Sequence, residues 1–199
     1  LEQTLGTDPY RMGVIGSTDT HLGAAGGVSE ADFIGHGGAG VPAREGVPQG
    51  LPDRPEFGPG GLAMIWAEQN TRDALFAAMQ RRETYATSGT RPQLRFFGGW
   101  DFPADFCASA QLVREAYARG VPMGGELKRA AGSVAAPVFV VAALRDALEG
   151  SPLQQLQLVK GWVDAKGESR ERVVTVASAD AGADSLCAVW RDPAYEPGH

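Results

Sequence analysis

Histidine is scarce in this chain. Only His21, His36 and His199 occur among 199 residues, and no His-x-His pair is present. These residues alone therefore cannot supply a histidine-rich multinuclear metal centre. Cysteine is nearly absent too. Cys107 and Cys187 are the only two, which excludes a Cys-x-x-Cys redox pair and a thiolate-built zinc site. Their spacing leaves open one disulfide or two separate buried thiols. No apolar run reaches the roughly 18 to 20 residues that span a bilayer. The longest stretches, around Val134–Leu144 and Gly61–Trp66, are much shorter. Positive charge is in deficit, with 18 Lys and Arg against 24 Asp and Glu for a net charge of −6. A general nucleic-acid or anionic-membrane binder needs a basic face to displace counterions, and neither partner is expected here. There is no initiator Met and no charged-then-apolar leader at Leu1. The tail Arg191–His199 is rich in turn residues with no closing element. A piece of a longer protein is the expectation.

What is plentiful is glycine. The chain has 27 Gly and 13 Pro, about a fifth of its residues where average usage gives nearer an eighth. No Gly-X-Y period accompanies them, so shaped loops are expected rather than a collagen helix. Hydrophobic residues at 43% and charged residues at 21% are ordinary for a globular domain.

The chain divides into three stretches. Leu1–His21 reads as a turn at Thr7-Asp8-Pro9, a short apolar strand over Tyr10–Gly16, and a polar cluster. Leu22–Gly61 is a Gly- and Pro-laden loop with little periodicity, of a length usually reserved for functional lids or disordered segments. Asp32-Phe33-Ile34, Val41 and Leu51 favour an ordered loop. A helix then follows. Asn70 is the expected N-cap with Asp73 three residues on, Ala74, Leu75, Ala78 and Met79 form the apolar stripe, and Arg81 and Arg82 fall in the last turn. From Thr84 the texture is β. Thr84–Thr87, Gln93–Phe97 before Gly98-Gly99, Val138–Leu144, Leu156–Val163 and Arg172–Val176 read as strands. Asp164-Ala-Lys-Gly167 reads as a hairpin turn between the last two. Leu112–Arg119 reads as a short helix ending at Gly120.

One constellation carries chemistry: Gly16-Ser17-Thr18-Asp19-Thr20-His21, where a short strand runs out into a loop. Asp19 and His21 are two apart, so at a strand end both side chains share one side. A carboxylate with an imidazole is a suitable ligand pair for Zn²⁺, Mn²⁺ or Fe²⁺. Ser17 and Thr18 stand ready either to hydrogen-bond those ligands or to cap the turn. The plain alternative is a turn aspartate beside a hydrogen-bonded histidine. Two other signals fail on context. Gly35-x-Gly-Gly-x-Gly40 neither follows a clear strand nor opens a helix, and Ser88 lacks the Gly-x-Ser-x-Gly elbow.

The stretch Gly13-Val-Ile-Gly-Ser-Thr-Asp-Thr-His-Leu-Gly23 resembles the last metal motif of the polymerase-and-histidinol-phosphatase (PHP) superfamily, Gly-Ser-Asp-x-His. Three further segments resemble a bacterial family named only as domain of unknown function 3604. They are Gly60-Gly-Leu-Ala-Met-Ile-Trp-Ala-Glu68, Arg81-Arg-Glu-Thr-Tyr-Ala-Thr-Ser-Gly-Thr-Arg91 and Gly161-Trp-Val-Asp164. The likeness runs along nearly the whole chain. It implies a PHP-like metal-dependent hydrolase with a distorted (β/α)7 barrel and up to three divalent ions, Asp19 and His21 being ligands from the final barrel strand. The superfamily completes its site with an early His-x-His motif that this chain lacks, so the resemblance implies a C-terminal portion with an incomplete metal site. Bridging ions make hydroxide available near neutral pH and polarise a phosphoryl oxygen. Arg91 is a candidate phosphate-binding cation, its plainer reading being a surface strand arginine, and His36 is a candidate for a loop residue closing over the site, its plainer reading being an exposed loop histidine. The resemblance also implies export to the periplasm or outside the cell, which favours a Cys107–Cys187 disulfide.

The expected fold class is thus α+β: residues 1–91 form the end of a PHP-like barrel with its long loop 22–61, and residues 92–199 form a β-rich antiparallel module. The expected function is a portion of a phosphoesterase-like hydrolase acting on a small or phosphorylated substrate, inactive by itself and self-associating through exposed barrel surface. The rival class is a non-catalytic β-rich binding or structural module of an exported protein.

Overall fold

The computed structural model describes residue 6 and residues 11–17, 61–129, 135–148 and 151–196. It contains two compact units, Leu1–Thr90 and Arg91–His199. The described architecture is mixed α and β with antiparallel sheets. The loop expected over 22–61 lies outside the described residues except for Gly61. The parallel strands of a barrel are not among the described residues. No described helix is long and apolar enough to cross a membrane.

In the first unit, β1 (Ala63–Ile65) pairs antiparallel with β2 (Thr84–Ala86), Met64 opposite Tyr85. Helix α1 (Arg72–Gln80) connects them. Its N-cap is Thr71 rather than the expected Asn70. The Thr71 hydroxyl accepts from the Ala74 N–H at 3.3 Å, while the Thr71 carbonyl already accepts from Leu75. Asparagine and threonine are both competent caps, and one residue of register decided between them. Ala78 of the expected stripe is fully buried, whereas Met79 is 46% exposed. The expected strand over 10–16 is also corrected. Residues 11–17 form no ladder, and Met12, Val14 and Ile15 are exposed.

The second unit is built on a four-stranded sheet. In chain order it comprises β3 (Gln93–Gly99), a 3₁₀ turn at Phe106–Ala108, α2 (Leu112–Arg119), β4 (Gly120–Pro122), β5 (Val138–Leu144), β6 (Leu153–Val163), β7 (Ser169–Ala183) and β8 (Ser185–Arg191). The sheet order is β4-β3-β5-β8, all antiparallel, and β6–β7 form a separate long hairpin. Phe97 lies opposite Val140, which lies opposite Val189. These residues share one face with Val138 and Cys187, under a cover of Phe102, Phe106, Leu112, Val113 and Ala116. The other face carries Leu94, Phe96, Val141, Ala143, Leu186 and Ala188 and packs on Leu153, Leu156, Leu158, Val176 and Ala177 of the hairpin. With both faces covered, β5 reads as the continuous apolar run Val-Phe-Val-Val-Ala-Ala-Leu, as a doubly buried strand must.

Gly98-Gly99 belongs to β3, which runs through Gly98 and ends at Gly99 rather than stopping at Phe97. Gly99 pairs with Gly120, and the 2%-exposed Phe102 ring lies over them. A Cβ on Gly99 would stand 2.5 Å from the Phe102 ring, and one on Gly120 would be 2.8 Å from it. The hairpin strands are longer than the apolar residues alone suggested, since two register shifts let β6 and β7 continue past Leu156. Their turn falls at Asp164–Gly167, with Gly167 at φ 81° and its N–H donating to the Asp164 carbonyl at 2.9 Å. The Asp164 carboxylate accepts from the backbone N–H of Lys166 and Glu168 and from Arg170 Nε.

Candidate functional site

The chemistry-bearing cluster at 17–21 begins where residues 11–17, here called the strap, run alongside β1 and β2. The helix before it ends unusually. The Glu83 N–H donates to Ala78 O at 3.1 Å and the Arg82 N–H to Met79 O at 2.9 Å, a Schellman closure. The left-handed position of that closure is normally glycine. Here it is Arg82, at φ 63°, a conformation costing a residue with a Cβ roughly 1–2 kcal/mol. Arg81 and Arg82 therefore lie beyond the last turn rather than in it, and Arg82 is half-buried instead of solvated. Arg81 Nε donates to the Glu83 carboxylate at 2.8 Å, and Glu83 is buried at 5% exposure.

Arg82 and Thr84 hold the strap by its carbonyls. Arg82 Nη1 donates to Arg11 O at 3.0 Å, and the Thr84 hydroxyl donates to Val14 O at 2.9 Å. Among the described residues Arg82 Nε is buried with no hydrogen-bond partner, and a buried donor left so costs about 1–3 kcal/mol. Close approach explains the strap glycines. A Cβ at Gly13 would lie 3.1 Å from Arg82 Cβ, and one at Gly16 would lie 2.8 Å from Leu62 O and 2.9 Å from Thr87 O. A Cβ at Gly61 would run into the Ser17 carbonyl. Thr87 is itself buried, and its hydroxyl accepts from the Leu62 N–H at 3.1 Å. The strap thus packs on the Arg82 and Thr84 side chains at Gly13 and backbone on backbone at Gly16 and Ser17, two residues before Asp19 in the sequence.

A family model described as protein of unknown function (DUF3604) matches residues 1–184. The chain belongs to the DUF3604 family. No curated protein and no solved structure matches it.

Of the residues singled out in this DUF3604 chain, Ser17 is exposed at the end of the strap. Thr18, Asp19, His21 and His36 lie outside the described residues. Arg91 belongs to the other unit, where its backbone N–H donates to the Asp146 carboxylate at 2.9 Å and its side chain is exposed. Cys107 and Cys187 are brought together as a disulfide with Cα atoms 5.9 Å apart, tying the 3₁₀ turn to β8. Among the described residues no group of three or more His, Cys, Asp or Glu is placed to hold a metal ion. Sequence reasoning missed the anchoring roles of Arg82, Thr84 and Thr87. Their signal was present in Arg81–Arg91, a segment that carried the family resemblance but whose arginine pair reads locally as a plain helix end.

Proposed function

We propose that this chain carries part of a PHP-like metal-dependent hydrolase, phosphoesterase-like in its chemistry, with Asp19 and His21 as metal ligands. The observation that carries the reading is the pinned strap. Two side chains and three glycine contacts fix the backbone up to Ser17, and a ligand pair needs such a rigid support in the chain next to it. Arg82 supports it further, because a strained backbone and an unpaired buried donor at one residue are features that gather at functional sites. Asp19 and His21 are the right donor types but too few, since a catalytic zinc takes three protein ligands. Holding an ion is the only role assigned to the pair. The barrel expected of the superfamily would be represented here by the strap and α1, because β1 and β2 are antiparallel.

Metal content per chain tests the reading. In equilibrium dialysis against Zn²⁺, Mn²⁺ or Fe²⁺, which reads the weak binding that two ligands give, the wild-type chain should take up more of at least one metal than the Asp19→Ala/His21→Ala double variant. A wild-type chain that takes up none of the three, or a double variant that takes up as much, would overturn it.

A second reading applies to the unit Arg91–His199: a binding module of an exported protein. The disulfide favours it, since such bonds persist in oxidising compartments.

A further inference from the structure

Alternation along β6 sends Leu156 and Leu158 inward to the core, and the next two inward positions are Lys160 and Trp162. Lysine on that face breaks the apolar pattern. Its side chain is only 18% exposed, and its Nζ donates to Asp192 Oδ2 at 2.7 Å and to Ala194 O at 3.2 Å. The Asp192 side chain is 5% exposed, and its other oxygen accepts from the Ala194 N–H at 3.0 Å. A buried ion pair is a poor stability device compared with apolar residues of the same size, so its presence here asks for another reason.

The surroundings supply one. Lys160 and Asp192 line a cavity of about 340 Å³ in the second unit, walled chiefly by aromatic rings. Phe139 and Trp190 lie opposite each other on β5 and β8 with near-parallel rings 5.9 Å apart, and Phe96 stacks on Phe139 at 5.6 Å, so three aromatic rings follow one another along this wall. Trp162 stands on the β6 wall, with Lys160 Nζ 4.9 Å from its ring centre. The volume lies within the range of small-molecule sites.

We propose that this cavity binds a saccharide ring, a role that rests on the binding-module reading of residues 91–199 and not on any metal. A pyranose presents C–H faces that lie on flat aromatic rings, and its hydroxyls both donate and accept. Asp192 is an acceptor and Lys160 a donor side by side, the pairing that two neighbouring hydroxyls satisfy together. A purely aromatic ligand would desolvate the ion pair further and offer it no hydrogen bond in return. The Lys160–Asp192 pair carries no net charge, so it attracts neither a cationic nor an anionic ligand.

The test is a fluorescence titration of the whole chain with glucose, galactose, mannose, N-acetylglucosamine and their tetrasaccharides, read on the wall residues Trp162 and Trp190. Indole and benzoate serve as aromatic probes. At least one saccharide should give a saturable change. Asp192→Asn and Trp190→Phe should each weaken that binding about tenfold or more, while Leu148→Ala, at an exposed position elsewhere, should not. Circular dichroism establishes that the variants fold. Binding of indole or benzoate without any saccharide would overturn the saccharide assignment and leave the module reading standing. Silence from both probe classes would overturn both. Saccharide binding that Trp190→Phe and Asp192→Asn leave intact would place the ligand elsewhere and overturn the assignment to this cavity.

Discussion

Breaking the Cys107–Cys187 bond should cost the second unit a large part of its stability. The two residues are 80 apart in sequence. In the chain-entropy account, the bond removes the freedom of a loop of that length from the unfolded chain, about 4.5 kcal/mol at 25 °C. A domain of this size is stable by roughly 5–15 kcal/mol, so the bond accounts for about three-tenths of the total or more. The packing lost with it is small by comparison. Cys107 and Cys187 are only half-buried, and Phe97, Phe102, Phe106, Ala116, Val138 and Val140 still form the core on that face. The assay is guanidinium unfolding of the whole chain followed by tryptophan fluorescence, which reports chiefly on this unit because Trp100, Trp162 and Trp190 lie in it and only Trp66 does not. The Cys107→Ala/Cys187→Ala variant and the reduced wild type should lose the same free energy, with a thermal midpoint lower by about 15–20 °C. A loss below about 1 kcal/mol in both would refute the chain-entropy reasoning. A variant much weaker than the reduced wild type would show that sulfur packing, not loop closure, was the cause. Two free thiols titrating in native protein from an oxidising compartment would refute the bond itself.

Two further predictions concern the strap and the hairpin. Arg82→Gly should relieve the left-handed backbone, a gain of about 1 kcal/mol at α1, yet release the Arg11 carbonyl and speed amide exchange over residues 13–17. Exchange unchanged there would deny Arg82 its anchoring role. At the hairpin turn the Glu168 backbone N–H is the largest of the influences that hold the Asp164 carboxyl below its ordinary range; burial opposes it next, and Arg170 and the Lys166 N–H add to the lowering. A depressed folded pKa stabilises above the ordinary aspartate value and is lost as pH falls through the folded value. The unfolding midpoint of the second unit should therefore drop on acidification through that window, and Asp164→Asn should flatten the drop. Equal acid slopes in the two proteins would remove Asp164 from the account.

Much of the fold was written locally. Helix α2 from Leu112 to Arg119, strand β5 and the Asp164–Gly167 turn lie where periodicity and turn residues put them, because each depends on neighbours within a few positions. The family membership was equally legible, being carried by short contiguous segments. Reading failed where one residue answers to another far along the chain. Tyr10–Gly16 has the apolar look of a strand, but the groups that hold residues 11–17 are the Arg82 and Thr84 side chains, some seventy residues away. The helix-end arginines look solvated until one of them is placed at φ 63° under the strap. Lys160 is an ordinary strand lysine in sequence, and only the meeting of β6 with the segment after β8 sets it against Asp192 among aromatic rings. The cysteines show the same division. Their number and spacing set aside a thiolate-built zinc site and a Cys-x-x-Cys pair at once, whereas their pairing was decided by the packing of the 3₁₀ turn on the sheet. A disulfide requires two Cα atoms within a few ångströms, and that proximity across 80 residues is a property of the fold.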